Sequence, residues 1–369
     1  MIMRSDFKKI SFVLAVVLSL NFNLFAQQTK TEIVNPEVFE LVQIVYSLTE
    51  FSKMDANLTN KSSKYYAEVQ THFAAYDNHP IVLKLNEAVK KDYTTYISNR
   101  NYALNFSFEN NKLKELEIVP PLIKFQAKVL GDVFADLSLW EDFAEKSKFR
   151  EFYTKNQKFY QTTIAETAKN LPLEKIQTWL EREFSERYDR YLIIISPLIG
   201  GTHSTFRANF QGLNQCFMFV SDASSYDPKK FTPKQIEGLY TGVVFTEIDH
   251  NYNNPISAKL AKEITEAMPD TAKWSNGAEA KAGFYKSALK IFDEYTTHSI
   301  YLLYIHDNFS AKDYEFIRDR KIAQMTERRG FVKFKEFQEE FLRFYIARKQ
   351  GEKLADLYPR IIDWAAKEK

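Results

Sequence analysis

The stretch Phe245-Thr246-Glu247-Ile248-Asp249-His250-Asn251-Tyr252-Asn253-Asn254-Pro255 decides how this chain reads. At about 100° per residue on a helix, positions 246, 247 and 250 fall within one narrow arc. The pattern H-E-x-x-H places two histidines four residues apart on such an arc, where they hold zinc while the glutamate between them polarises the metal-bound water. Thr246 stands in the place of the first histidine, whereas Glu247 and His250 keep theirs. Pro255 pushes the residue before it out of the α region, so the helix is expected to end there.

A second helix is expected downstream. From Phe284 to His306 the sequence is apolar and aromatic without a breaker, and Glu294, His298, Tyr301 and Ile305 share one face of it. A carboxylate and an imidazole on the apolar side of a helix are costly to bury unless they are paired or bound to something. Glu247 with His250, and Glu294 with His298, also have plain readings as side-chain pairs without a metal. Upstream, Tyr191 to Leu198 is rich in β-branched residues and Cys216 to Val220 follows after a polar interval, so these two runs read as paired strands. His203 lies between them, in the turn Gly200-Gly201-Thr202-His203.

Elsewhere apolar residues recur at three-four spacing, as in Val38 to Tyr46, Leu122 to Phe143, Leu173 to Phe184 and Phe331 to Tyr345. Ser107 to Val119, with Glu109-Asn110-Asn111 at its centre, reads as a hairpin. Glu327-Arg328-Arg329-Gly330 reads as a helix end, with basic residues in the last turn and a glycine beyond, and is given no chemistry. The expectation is a mainly α fold with a small β-sheet (α+β). A helical region over residues 27–185 precedes a region over 186–369 that carries the sheet, the motif helix and C-terminal helices.

With Leu139-Trp140-Glu141-Asp142-Phe143 and Phe149-Arg150-Glu151-Phe152-Tyr153 upstream and Arg329-Gly330-Phe331 downstream, the run from Thr246 to Pro255 resembles an exported zincin-like family of the glutamate-ligand type. The resemblance covers most of the chain beyond the leader. It implies a zincin-like fold in which strands precede the active-site helix and a glutamate-bearing helix follows. It implies further that His250 and Glu294 are zinc ligands, that Glu247 is the general base, and that Tyr301 or His298 stands near the oxyanion formed when water attacks a peptide carbonyl. The activity implied is zinc-dependent hydrolysis of peptide bonds in a peptide or protein substrate.

The departure is Thr246, because a neutral hydroxyl is a poor zinc ligand beside imidazole, thiolate or carboxylate. Two residues offer a replacement: His298, one turn beyond Glu294, and His203. Another arrangement would use Glu247, His250, Glu294 and His298 together as a two-carboxylate, two-histidine metal site and would leave no base. The alternative to an enzyme is a non-catalytic protein of the same fold that binds a peptide, a glycan or a partner protein in the cleft.

Composition narrows the rest. Arg4, Lys8 and Lys9, the apolar run Ile10 to Leu20 and the small residue at the end of Leu24-Phe25-Ala26 form a secretory signal over residues 1–26, too short to span a bilayer. The expected destination is the periplasm or the medium, with no transmembrane segment after the signal is removed. Removal of those residues leaves equal numbers of basic and acidic side chains, against a nucleic-acid partner, whose phosphates call for clustered Lys and Arg. Cys216 is the only cysteine, so no disulfide can form within the chain. Its apolar, strand-like setting argues against a nucleophilic thiolate with His203 as base. Intact-mass measurement of protein isolated from the native envelope should find a chain starting at Gln27, and a mass that includes Met1 would contradict the leader.

Overall fold

The computed structural model describes residues 31–210, 212–281 and 285–368. The expected signal and the expected helix start at Phe284 lie outside them. The architecture is mainly helical with a small sheet, as the α+β expectation has it. Strand β1 (Thr31–Val34) opens the described chain. The hairpin of β2 (Phe106–Glu109) and β3 (Lys112–Glu115) stands apart from the main sheet, where β1 is joined by β4 (Arg190–Ile195), β5 (Ser204–Phe210) and β6 (Leu213–Val220). In the hairpin, Asn110 and Asn111 take positive φ of 49° and 62°, the left-handed pair that a two-residue connection requires.

The main sheet has the order β1-β4-β6-β5, with β1, β4 and β6 parallel and β5 antiparallel at the edge. The two apolar runs read as strands are thus adjacent and parallel. Two strands escaped the sequence reading. In β5 apolar and polar residues alternate, as suits an edge, and β1 gives the sheet its first strand from the region expected to be helical.

Parallel strands need cover on both faces, and alternation of side chains provides it. Tyr191, Ile193, Ile195, Cys216, Met218 and Val220 point into one core with the motif helix and the C-terminal helices. Leu192, Ile194, Phe217 and Phe219 point the other way, against Phe39 and Leu104 of the N-terminal region. The long helix expected over Leu122 to Phe143 is broken into Pro121–Gly131 and Leu137–Lys146. Asp136 caps the second piece through Ser138 N, and the Trp140 indole donates to Val133 O at 2.9 Å, so the break is fixed by its own polar groups.

The motif helix runs from Pro233 to Lys259, begun by a capping box between Thr232 and Gln235. It passes through Pro255 rather than ending there. Proline lacks the N–H that the Asn251 carbonyl would accept. That carbonyl instead takes the Tyr188 hydroxyl at 2.8 Å and the Arg207 guanidinium at 3.1 Å. The helix survives because two side chains from the sheet region replace the missing donor.

Beneath the carboxyl ends of β1 and β4 sits Glu40, fully buried on the helix Glu37–Leu48. Asn35 Nδ2 donates to it at 2.6 Å and the Tyr65 hydroxyl at 2.8 Å, and the same Asn35 Nδ2 reaches Ile195 O at 2.9 Å. Burial nevertheless pushes the carboxyl up to about 7 from its ordinary 4.5. The folded chain therefore keeps a proton that the unfolded chain releases between those two values. Stability from this group is lost as pH rises across that window. Urea unfolding at pH 5 and pH 8 should show Glu40→Gln removing about 3 kcal/mol of this pH dependence; equal pH dependence in both proteins would show that Glu40 is ionised when folded.

Candidate functional site

The motif helix packs closely along the helix Ala288–Asn308, which Ser287 caps through Lys290 N. The two can approach because Gly242 carries no side chain: a Cβ there would lie 2.7 Å from Cζ of Tyr301. The Tyr301 hydroxyl donates to Gly238 O at 2.8 Å and is buried. Tyr301, expected beside an oxyanion, is thus a packing residue of the helix pair, its one proton already used.

About one turn and a half further along, four of the expected residues converge. His250 Nε2 stands 3.7 Å from Glu294 Oε1, and His298 Nε2 stands 3.6 Å from Glu294 Oε2. Glu247 lies close enough to feel the charges of both His250 and Glu294. The group is not sealed: the side chains of His250, Glu294 and His298 are 20%, 16% and 9% exposed. His250 Nδ1 lies 3.2 Å from Asn254 Oδ1 and 3.3 Å from Thr297 Oγ1, which leaves Nε2 facing Glu294.

The residue that organises these groups is Arg329. Its Nη2 donates to Glu294 Oε2 at 2.9 Å and to the Tyr285 hydroxyl, while its Nη1 lies 2.8 Å from His298 Nε2. An arginine can only donate, so His298 Nε2 is the acceptor and the ring proton lies on Nδ1, buried without a partner among the described residues. Arg329 follows a single π-helical turn, Gln324–Arg328. Gly330, at φ 73°, lets the chain leave that turn so close to Gly277 that a Cβ would lie 2.3 Å from Gly277 N.

Electrostatics follow from burial and this arginine. Burial opposes the charge of Glu294, yet the Arg329 guanidinium beside it holds its carboxyl well below the usual range. Burial and the nearby Glu294 push Glu247 up to about 7. Burial, then Lys321, pushes His298 down to about 3, so it is neutral at physiological pH. Lys321, on the helix Ala311–Ala323, is itself lowered to about 7, by burial first and Arg329 second.

The metal reading can be tested on these donors. Thr246 donates its hydroxyl to Gly242 O at 3.0 Å, with Val243 O at 3.2 Å, a bond within its own helix. His298 turns its accepting nitrogen to Arg329. His203 holds Ser221 Oγ at 3.2 Å, with no hydrogen bond or ion pair to His250, Glu294 or His298, and burial lowers it to about 3. Among the described residues no three of His, Cys, Asp and Glu are grouped to hold a metal ion. The set does not fit zinc as arranged: His250 and one oxygen of Glu294 remain. Cys216 is buried and burial pushes its thiol up, which removes it as a nucleophile.

A comparison with protein families, with curated proteins and with solved structures returned no match. The site therefore rests on its geometry. The sequence reading missed Arg329 and Lys321 as site residues. Basic residues near a helix end have an ordinary explanation, and the only signal was the Arg329-Gly330-Phe331 run quoted for the resemblance. Removal of the guanidinium leaves Glu294 in a half-dry setting without its cation. Arg329→Met should destabilise the fold by about 3 kcal/mol, with most of the loss recovered when Glu294→Leu is added; a single variant as stable as the parent in urea would show that this pair carries no weight.

Proposed function

We propose that this is a non-catalytic, zincin-like protein that binds an extended peptide in the cleft between β5 and the paired helices, and that it acts outside the cytoplasm. The observation that carries the reading is Arg329, held on Glu294 and His298 where a catalytic metal would need both as donors. The other support is β5. It is the edge of the sheet, no described strand pairs its outer side, and it lies along the motif helix through Asn251 Nδ2 to Thr205 Oγ1 at 2.9 Å. An exposed edge binds an extended chain through main-chain hydrogen bonds, with the side-chain pockets beneath giving selectivity.

The convergence of Glu247, His250 and Glu294 favours a second reading, a metal-dependent peptidase. In that reading Glu247, with its raised carboxyl, is matched to taking a proton near neutral pH. Zinc binding by the purified mature chain separates the two. On the binding reading the parent takes up no stoichiometric zinc and cleaves no peptide. Thr246→His alone then gains little, since Arg329 still occupies Glu294, and Thr246→His with Arg329→Ala gains more than about tenfold in zinc affinity, or roughly 1.4 kcal/mol. Stoichiometric zinc in the parent, with peptide hydrolysis abolished by Glu247→Gln, would establish the peptidase reading instead.

A further inference from the structure

One cation on β5 stands over the motif helix without an acid. Side chains alternate between the two faces of the sheet, so Thr205 and Arg207 lie on one face and Phe206 and Ala208 on the other. Contacts say which face is which. Asn251 of the motif helix donates Nδ2 to Thr205 Oγ1 at 2.9 Å, and its carbonyl takes the Arg207 guanidinium at 3.1 Å. The Phe206 ring instead stacks on Phe217 with 4.6 Å between centres, in the core that Phe39 and Leu104 share. Arg207 is exposed, and the carbonyl it meets is a neutral partner. Its inner neighbours are neutral too: β6 sets Cys216 directly opposite, with Asn214 and Met218 on the diagonals. No carboxylate among the described residues pairs with it.

A strand added to the outer side of β5 supplies the neighbour that the sheet itself does not. Cross-strand neighbours share a face, so the residue opposite Arg207 turns its side chain to the guanidinium, with Cβ atoms about 5 Å apart. Aspartate or glutamate at that position gives the arginine a counter-charge and a charge-assisted hydrogen bond, whereas lysine or arginine meets like charge. The residues flanking it in the peptide face the opposite way, beside Phe206 and Ala208. Phe206 is half-buried and Ala208 buried in the core with Phe217 and Phe219, so β-branched or aromatic side chains set beside them extend that core. The triplet reads the same whether the added strand is antiparallel or parallel, because alternation is kept in both directions.

Resting on the peptide-binding reading, we propose that the cleft selects acidic peptides: an extended chain adds to β5 with an apolar, an acidic and an apolar residue in register with Phe206, Arg207 and Ala208, and the acidic side chain pairs with Arg207. The test uses three pools of heptapeptides blocked at both ends, randomised except for a central valine-X-valine in which X is glutamate, glutamine or lysine. Each pool is offered to the immobilised mature chain and quantified by mass spectrometry. The glutamate pool should be retained about threefold better than the glutamine pool and about tenfold better than the lysine pool, the scale of a partly exposed ion pair gained and of a like-charge contact avoided. Arg207→Glu should reverse the order, with lysine above glutamate, and Arg207→Lys should keep it. The ranking by the parent needs no variant, so loss of the arginine's bond to Asn251 cannot mask the result. Equal retention of the three pools by the parent, or an order unchanged in Arg207→Glu, overturns the acidic selectivity and leaves peptide binding standing. Retention of none of the pools overturns both.

Discussion

The charge of Glu294 is the constraint on which the centre of the molecule depends. A carboxylate between two packed helices must be neutralised by a proton, a metal or a cation. This chain uses a guanidinium, and much local structure follows from delivering it. Arg329 must come from outside the helix pair, which the π-helical turn before it achieves. It must then stop, which Gly330 and the close pass of Gly277 achieve. His298 is drawn in as an acceptor, which fixes its tautomer and removes its lone pair from other use. One ion pair thus decides the orientation of three side chains and the chemistry open to them.

The motif around it divides into two kinds of residue. Glu247 and His250 stay partly exposed. Asn251, Tyr252, Asn253 and Pro255 serve the frame. Tyr252 packs on the sheet and its hydroxyl meets that of Tyr191. Asn253 donates to Thr296 Oγ1 at 2.8 Å and Thr297 Oγ1 at 2.9 Å and accepts from Tyr358, tying three helices through one side chain. Pro255 frees the Asn251 carbonyl for Tyr188 and Arg207, which turns a local defect in the helix into a link with the sheet region. A polar network of this kind, with its members satisfied, specifies one packing where apolar side chains would allow several.

Much of this was legible in the residues, and the parts that were not share a cause. Periodicity found the helices and the shared faces of Glu247 with His250 and of Glu294 with His298, because burial imposes spacing on neighbours in sequence. It could not find β1 or β5, short runs that become strands only through partners more than a hundred residues away or across a turn. It placed a helix end at Pro255 because the donors that rescue the helix, Tyr188 and Arg207, lie far from it in the chain. Arg329 was hidden for the same reason: its partners are 31 and 35 residues upstream, and nothing in Glu327-Arg328-Arg329-Gly330 states where the guanidinium points.

The difference between a binding cleft and a catalytic one here comes down to the second oxygen of Glu294. A metal joining His250 would compete with Arg329 for that carboxylate, and its gain would be set against stranding a partly buried guanidinium. With a histidine at 246 the metal would hold a third donor and the contest would be close. With a threonine whose hydroxyl is turned into its own helix, His250 brings one nitrogen and the arginine keeps its place. What does not depend on that contest is the edge of β5, whose outer side no described strand pairs.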